Sequence, residues 1–231
     1  MNQNNTSKTA ILVFANSSRE EVKHKAIARG DVLFDALTNH TLETVEKTRL
    51  PYFHFSEKHQ FGKTFGERFT NAIQAVYDRG FERVITIGND SPQLRPQHIT
   101  EAERQLENNK FVIGPATDGG FYLMGLHKDQ FDGNAFRQLD WQTSKLSKQL
   151  LSLVSNTMHV FRLPMLFDID TVADIKSFLS YAYAIPVKIF QILLQILEEA
   201  EKTSACYILR VENLHFRLPH NKGSPLLLQS A

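Results

Sequence analysis

The sequence predicts an α/β fold with a mostly parallel sheet flanked by helices. Continuous apolar runs of strand length, such as Thr9–Ala15 and Val84–Ile87, have the β-branched character of strands covered on both faces. Stretches with helical spacing of apolar residues alternate with them, the pattern of a doubly wound sheet with short right-handed crossovers. Glycine, proline or a polar cluster stands at most changes of period.

Composition narrows the function classes. The 231 residues are 42% hydrophobic, enough for one large domain with an appendage. With 26 basic and 25 acidic residues the formal charge is +1, so no field points to nucleic acid or an anionic membrane. The single Cys206 excludes an internal disulfide and a cysteine-based zinc site, and reads as a packing residue. The polar Met1–Lys8 reads as disordered, and no signal-peptide core follows it. The most apolar later segment, Ile185–Leu197, is interrupted by Lys188, Gln191 and Gln195 and is too short to span a bilayer. With no transmembrane segment, a cytoplasmic setting is the default expectation.

In chain order, the strand Thr9–Ala15 leads into Asn16-Ser17-Ser18 and the charged Arg19-Glu20-Glu21. Here Ser17 or Ser18 can cap a helix whose positive end suits the acidic pair. The same arrangement can hold a phosphate, with Lys23 and Lys25 adding charge, although the loop has no glycine and no P-loop pattern. A helix is expected from about Val32 to Lys47, stopped by Pro51, and a second strand at Tyr52–Phe55. The glycine-punctuated Gln60–Gly66 leads into a helix carrying Phe69, Ala72, Ile73 and Val76 on one side, with Glu67 and Arg68 in its first turn.

The strand Val84–Ile87 ends in Gly88-Asn89-Asp90-Ser91-Pro92, where Gly88 lets the backbone leave the sheet. Asp90 then sits at a strand's carboxyl end, where ligands collect in open α/β sheets; a turn-shaping aspartate is the equal alternative. Pro96 opens a helix through Ile99, Ala102 and Leu106, and Lys110–Pro115 is a short buried strand. Asp118-Gly119-Gly120 makes a sharp turn suited either to a close ligand or to a hairpin, and Phe121–Leu126 is a further strand.

Beyond Asp140–Thr143 comes a helix around Lys145–Val154, then a strand at His159–Leu163. Alternation in an extended Asp168-Ile169-Asp170 points both carboxylates to one side. Thr171 is a natural N-cap, with Asp174 completing a capping box for a helix through Phe178. Residues 184–231 read as an extension: an apolar helix to about Lys202, a strand-like Cys206–Val211 and a loop-like tail, packed on the domain or forming a homo-oligomer contact.

Asp90, Asp118, Asp168 and Asp170 all follow strand ends, and several carboxylates on one rim suit a hard cation, Mg²⁺ or Mn²⁺. The nine histidines have no metal-ligand spacing, and no G-x-S-x-G elbow occurs.

Six ordered motifs then carry a resemblance. They are Val22-Lys23; Gln60-x-Gly62 with Gly66-Glu67-Arg68; Ile87-Gly88-x-Asp90-x-Pro92-x-Leu94; Gly114-Pro115-Ala116-x-Asp118-Gly119-Gly120-Phe121-Tyr122-Leu123; Trp141-x-Thr143; and Asp168-x-Asp170-Thr171. Over about residues 9–182 the chain resembles bacterial GT-A-type glycosyltransferases called radical-SAM/selenodomain-associated transferases, in the nucleotide-diphospho-sugar transferase superfamily. The resemblance implies a Rossmann-like GT-A domain over residues 9–183. It also implies metal ligation by Asp90 with Asp168 or Asp170, and catalytic roles for Asp118 and Asp90. Nucleotide and sugar contacts would come from Lys23, Lys25, Arg68, Gly88, Gly119, Gly120 and Trp141. The implied activity is metal-dependent glycosyl transfer from a nucleotide sugar to an unknown acceptor. The alternatives are nucleotidyl transfer on the same fold, or a non-catalytic binding protein with a degenerate donor site. One departure stands out: the family's Lys-, Pro- and Gly-rich first loop and Val-Lys-Thr-Arg are here Asn16-Ser-Ser-Arg-Glu-Glu and Val22-Lys23-His24-Lys25.

Overall fold

A computed structural model describes the backbone of residues 7–155, 159–179 and 185–215, and side chains to residue 202 except at 155. Each of the six apolar runs forms a strand: β1 (Thr9–Phe14), β2 (Tyr52–Phe55), β3 (Arg83–Ile87), β4 (Phe111–Pro115), β5 (Phe121–His127) and β6 (Val160–Arg162). They build one sheet in the order β2-β1-β3-β5-β4-β6. β1 pairs in parallel with β2 and β3, and β4 in parallel with β6, whereas β5 runs antiparallel to both β3 and β4. The reversal follows from chain length, because Ala116–Gly120 is far too short for the dozen or more residues a parallel crossover needs. The Asp118-Gly-Gly turn is therefore a hairpin connection.

The helices are α1 (Ser18–Glu21), α2 (Gly30–Glu46), α3 (Phe65–Tyr77), α4 (Pro96–Glu107), α5 (Gly133–Arg137), α6 (Leu146–Ser155), α7 (Val172–Phe178) and α8 (Val187–His215). Alternate strand residues feed two layers. Ala10, Leu12, Val84, Ile113 and Met124 pack with α3, α5 and α6, while Ile11, Val13, Ile85 and Val112 pack with α4. This is why the strands read as unbroken apolar runs.

A third cluster joins Leu33, Phe34 and Leu37 of α2, Ile175 and Phe178 of α7, and Ile189, Ile192, Leu193 and Ile196 of α8. Over Ile189–Ile196 the apolar face of α8 thus packs on the chain's own core. Cys206–Val211 is not a strand but part of α8. No glycine or proline lies between Pro186 and Pro219 to stop the helix, and continuity outweighs the local β-propensity of a short stretch. α5 was not evident in the sequence; it is a single short turn-and-a-bit, capped by Asp132, which accepts from the N–H groups of Asn134 and Ala135. The expected disorder at the N-terminus, the boundary near residue 183 and the tail beyond residue 215 lie outside the described residues. Among the described residues no helix is long and apolar enough to cross a membrane.

Candidate active site

A cleft of about 640 Å³ opens along the carboxyl ends of β1, β3, β4 and β6. Its acidic end is assembled by strand order. β6 lies beside β4, and the pairing continues past both strands through a bridge between Ala116 and Leu166. Leu166 N–H donates to the Pro115 carbonyl at 3.1 Å and Thr117 N–H to the Leu166 carbonyl at 3.1 Å. The turn after β4 is thereby drawn against the segment after β6.

One carboxylate oxygen from each of Asp118, Asp168 and Asp170 lies within 4.8 Å of the others, the one such group of potential metal ligands among the described residues. Asp90 lies outside that set, although it was expected within it. Its backbone carbonyl accepts from Ile169 N–H at 3.0 Å, so the turn after β3 abuts the same segment. Its carboxylate lies 3.8 Å from the Lys25 ammonium, a partner that it shares with Asp170.

Each member is held locally. Thr171 caps α7 in a reciprocal box with Asp174, as the sequence predicts. The Asp174 carboxylate also accepts from Asp170 N–H at 3.2 Å, fixing the backbone that carries the ligand. The Asp118 carboxylate accepts from Gly120 N–H at 2.6 Å, closing its own turn. Gly119 sits there with φ +94°, and a β-carbon on it would stand 2.6 Å from the Ser144 carbonyl oxygen. Here glycine is required by conformation and by space. Asp168 is buried and accepts from the Thr117 hydroxyl at 2.7 Å. Burial pushes its carboxyl up, the Thr117 hydrogen bond opposes this, and Asp118 and Asp170 add repulsion, leaving it at about 6.

Lys25 enters the same end. Its ammonium lies 2.6 Å from Asp170 Oδ1 and 3.5 Å from Glu21 Oε2. Burial works against the charge, but Asp90, Asp170 and Glu21 outweigh it and hold the lysine protonated well above its usual range. Burial also pushes the Asp90 carboxyl up, opposed by Lys25 and reinforced by Asp170 and Asp168.

The opposite end is aromatic. Phe65, Phe121 and Trp141 line it with Arg68, and Trp141 packs 5.0 Å from the Phe69 ring centroid. Gly66 makes this approach possible, since a β-carbon there would fall 2.5 Å from Trp141 Cδ1. The Trp141 indole N–H donates to the Phe136 carbonyl at 2.7 Å.

Of the residues singled out in the sequence, Lys25, Arg68, Gly88, Asp90, Asp118, Gly120, Trp141, Asp168 and Asp170 line the cleft, and Gly119 shapes its wall. Lys23 does not: it lies in the turn that follows α1, exposed and paired with Glu20 at 2.5 Å. The phosphate reading of the first loop also meets an obstacle. Ser17 N–H and hydroxyl are both taken by the Glu57 carboxylate, at 2.8 and 3.0 Å, and α1 is only four residues long. The Ser17 backbone bond holds the Glu57 carboxyl below its ordinary value. Asn16, Gln60, Glu21 and Thr117 were not foreseen as site residues. Glu21 had a signal, its i,i+4 spacing to Lys25; Thr117 had none beyond adjacency to Asp118.

Residues 20–143, more than half of the chain, match the family model described as an uncharacterized protein conserved in bacteria (DUF2064). None of the curated proteins matches. Among solved structures, a candidate nucleotide-diphospho-sugar transferase from Desulfovibrio desulfuricans G20 is 24% identical, with a TM-score of 0.65 over 73% of this chain and 84% of that one. A homologue of Mycobacterium tuberculosis Rv0371c from Mycobacterium sp. strain JC1 is 11% identical, with a TM-score of 0.48 over 83% and 98% of the two chains. A cytidylyltransferase from Leptospira borgpetersenii is 15% identical, with a TM-score of 0.42 over 86% and 95%. The first of these likenesses gives the fold, a Rossmann-like sheet of the nucleotide-diphospho-sugar transferase type.

Proposed function

The chain belongs to the bacterial family DUF2064, and on that premise we propose that it is a metal-dependent glycosyltransferase using a nucleotide-diphospho-sugar donor. The ordered motifs support placing it among the radical-SAM/selenodomain-associated transferases. The observation that carries the reading is the convergence of Asp118, Asp168 and Asp170 at the carboxyl-end rim of the sheet.

These three carboxylates offer hard oxygen donors, and the fold already holds them together although burial first, and repulsion from Asp118 and Asp170 second, raise Asp168 to about 6, so they fit Mg²⁺ or Mn²⁺. Such an ion, when bound, neutralises charge developing on a departing diphosphate. Asp90, with its carboxyl pushed up by burial, is suited to take the proton of an acceptor hydroxyl. Lys25 adds positive charge beside the diphosphate, and Gly120 allows close approach of the sugar. The aromatic wall around Trp141 excludes water from the opposite side of the cleft.

The test is calorimetric titration with a panel of nucleotide sugars in Mn²⁺, together with detection of nucleoside diphosphate release. Donor binding and release that vanish in Asp168→Asn and Asp170→Asn are expected. No binding by any donor, or binding indifferent to both substitutions, would overturn the reading. A second reading, a binding protein without turnover, is favoured by the Glu57 carboxylate on Ser17, where a donor phosphate would otherwise find an N–H. Binding without release of diphosphate would support that one.

A further inference from the structure

Lys25 is half-buried at the acidic end of the cleft, with 19% of its side chain exposed. Its strongest contact is the 2.6 Å pair with Asp170 Oδ1, and Asp170 is also one of the three converging ligands. A divalent ion beside Asp170 would face an ammonium a few ångströms away, and like charges at that range repel strongly in a cleft of reduced dielectric. The ammonium has other partners within reach: Glu21 at 3.5 Å and Asp90 at 3.8 Å, neither a member of the converging set. Glu21 is itself buried and oriented by Asn16, whose amide donates to it at 2.9 Å.

We propose that Lys25 is a tethered cation that holds Asp170 while the divalent ion is away, and that the ion displaces it onto Glu21 and Asp90. The proposal rests on the metal reading of Asp118, Asp168 and Asp170. It assigns Lys25 a positioning role: without the ion the lysine neutralises the ligand cluster, and with the ion the ammonium gives up its shortest contact for the two longer ones. The ion and the lysine compete for one carboxylate.

Competition predicts that losing the lysine tightens metal binding. By calorimetry, Lys25→Met binds Mn²⁺ about tenfold more tightly than the unaltered chain, a modest effect for removing a like charge at this distance. Lys25→Arg keeps the competing charge and stays near the unaltered chain. Lys23→Met, which removes an exposed lysine paired with Glu20, also leaves the affinity unchanged. A merely structural lysine would weaken binding when replaced. Equal or weaker Mn²⁺ binding by Lys25→Met, with binding intact in the unaltered chain, overturns this inference alone. No Mn²⁺ binding by either protein overturns the metal reading with it. A second measurement uses the unaltered chain and decides the matter if Lys25→Met does not fold. Reductive methylation read by mass spectrometry should label Lys25 faster as Mn²⁺ is added, with Lys23 unaffected. Lys25 labelling independent of Mn²⁺ refutes the displacement.

Discussion

At Asp168 the chain keeps a carboxylate in an environment that resists its charge. Burial and the neighbouring Asp118 and Asp170 raise it to about 6, against 3.8 for an ordinary aspartate. The folded state therefore holds the proton more tightly than the unfolded state. The penalty is fully present above about pH 6 and fades as the pH falls from there towards 4. Asp168→Asn should remove it while keeping an acceptor for the Thr117 hydroxyl. The expected gain in metal-free stability at pH 7.5 is about 2 kcal/mol, together with a flatter dependence of Tm on pH between 4 and 6. The same variant should lose its thermal response to Mn²⁺. A variant less stable than the parent at pH 7.5 would show that Asp168 is held mainly by its hydrogen bond rather than strained by its neighbours. A functional site that costs the fold stability is what a metal-ligating role leads one to expect.

At the scale of elements, the site depends on how a turn and a helix start present their carboxylates. Gly119 at φ +94° has no room for a side chain against Ser144. Gly119→Ala should cost on the order of 1–3 kcal/mol, from backbone strain and the clash together, and should displace Asp118, weakening Mn²⁺ binding. Asp174 does not itself line the cleft yet accepts from Asp170 N–H, Thr171 N–H and the Thr171 hydroxyl. Asp174→Ala should lower stability by about 1 kcal/mol as a lost cap and loosen Asp170. Thermal melts and Mn²⁺ titrations of the two variants check both effects; a variant with a lowered Tm but unchanged Mn²⁺ affinity would separate the cap from the site. The Thr171–Asp174 box was legible in the sequence because capping is local. The Thr64–Glu67 box that starts α3 has the same pattern, but Glu67 read there as a plain helix residue.

Across the whole molecule, the first turns of α8, Ile189–Ile196, pack into the chain's own core. Leu193 is fully buried between α2 and α7, and α7 is the helix whose start fixes Asp170. Leu193→Ala should cost about 2–5 kcal/mol, and truncation before α8 should abolish cooperative unfolding by circular dichroism. A truncated chain that melts with the parent's Tm would show that the fold does not depend on α8. The sequence by itself determined the six strands, most of the helices, the turn glycines and the presence of four carboxylates past strand ends. Those features depend on periodicity, capping and conformational limits within a few residues. Only the tertiary structure decided which carboxylates converge. With β4 paired to β6 and β5 inserted between β4 and β3, Asp118 rather than Asp90 joins Asp168 and Asp170. It likewise turned Lys25 inward and Lys23 outward, and set Glu57 on Ser17. Strand order and packing between segments far apart in the chain are written in no local pattern, because they arise from the joint burial of all the faces at once.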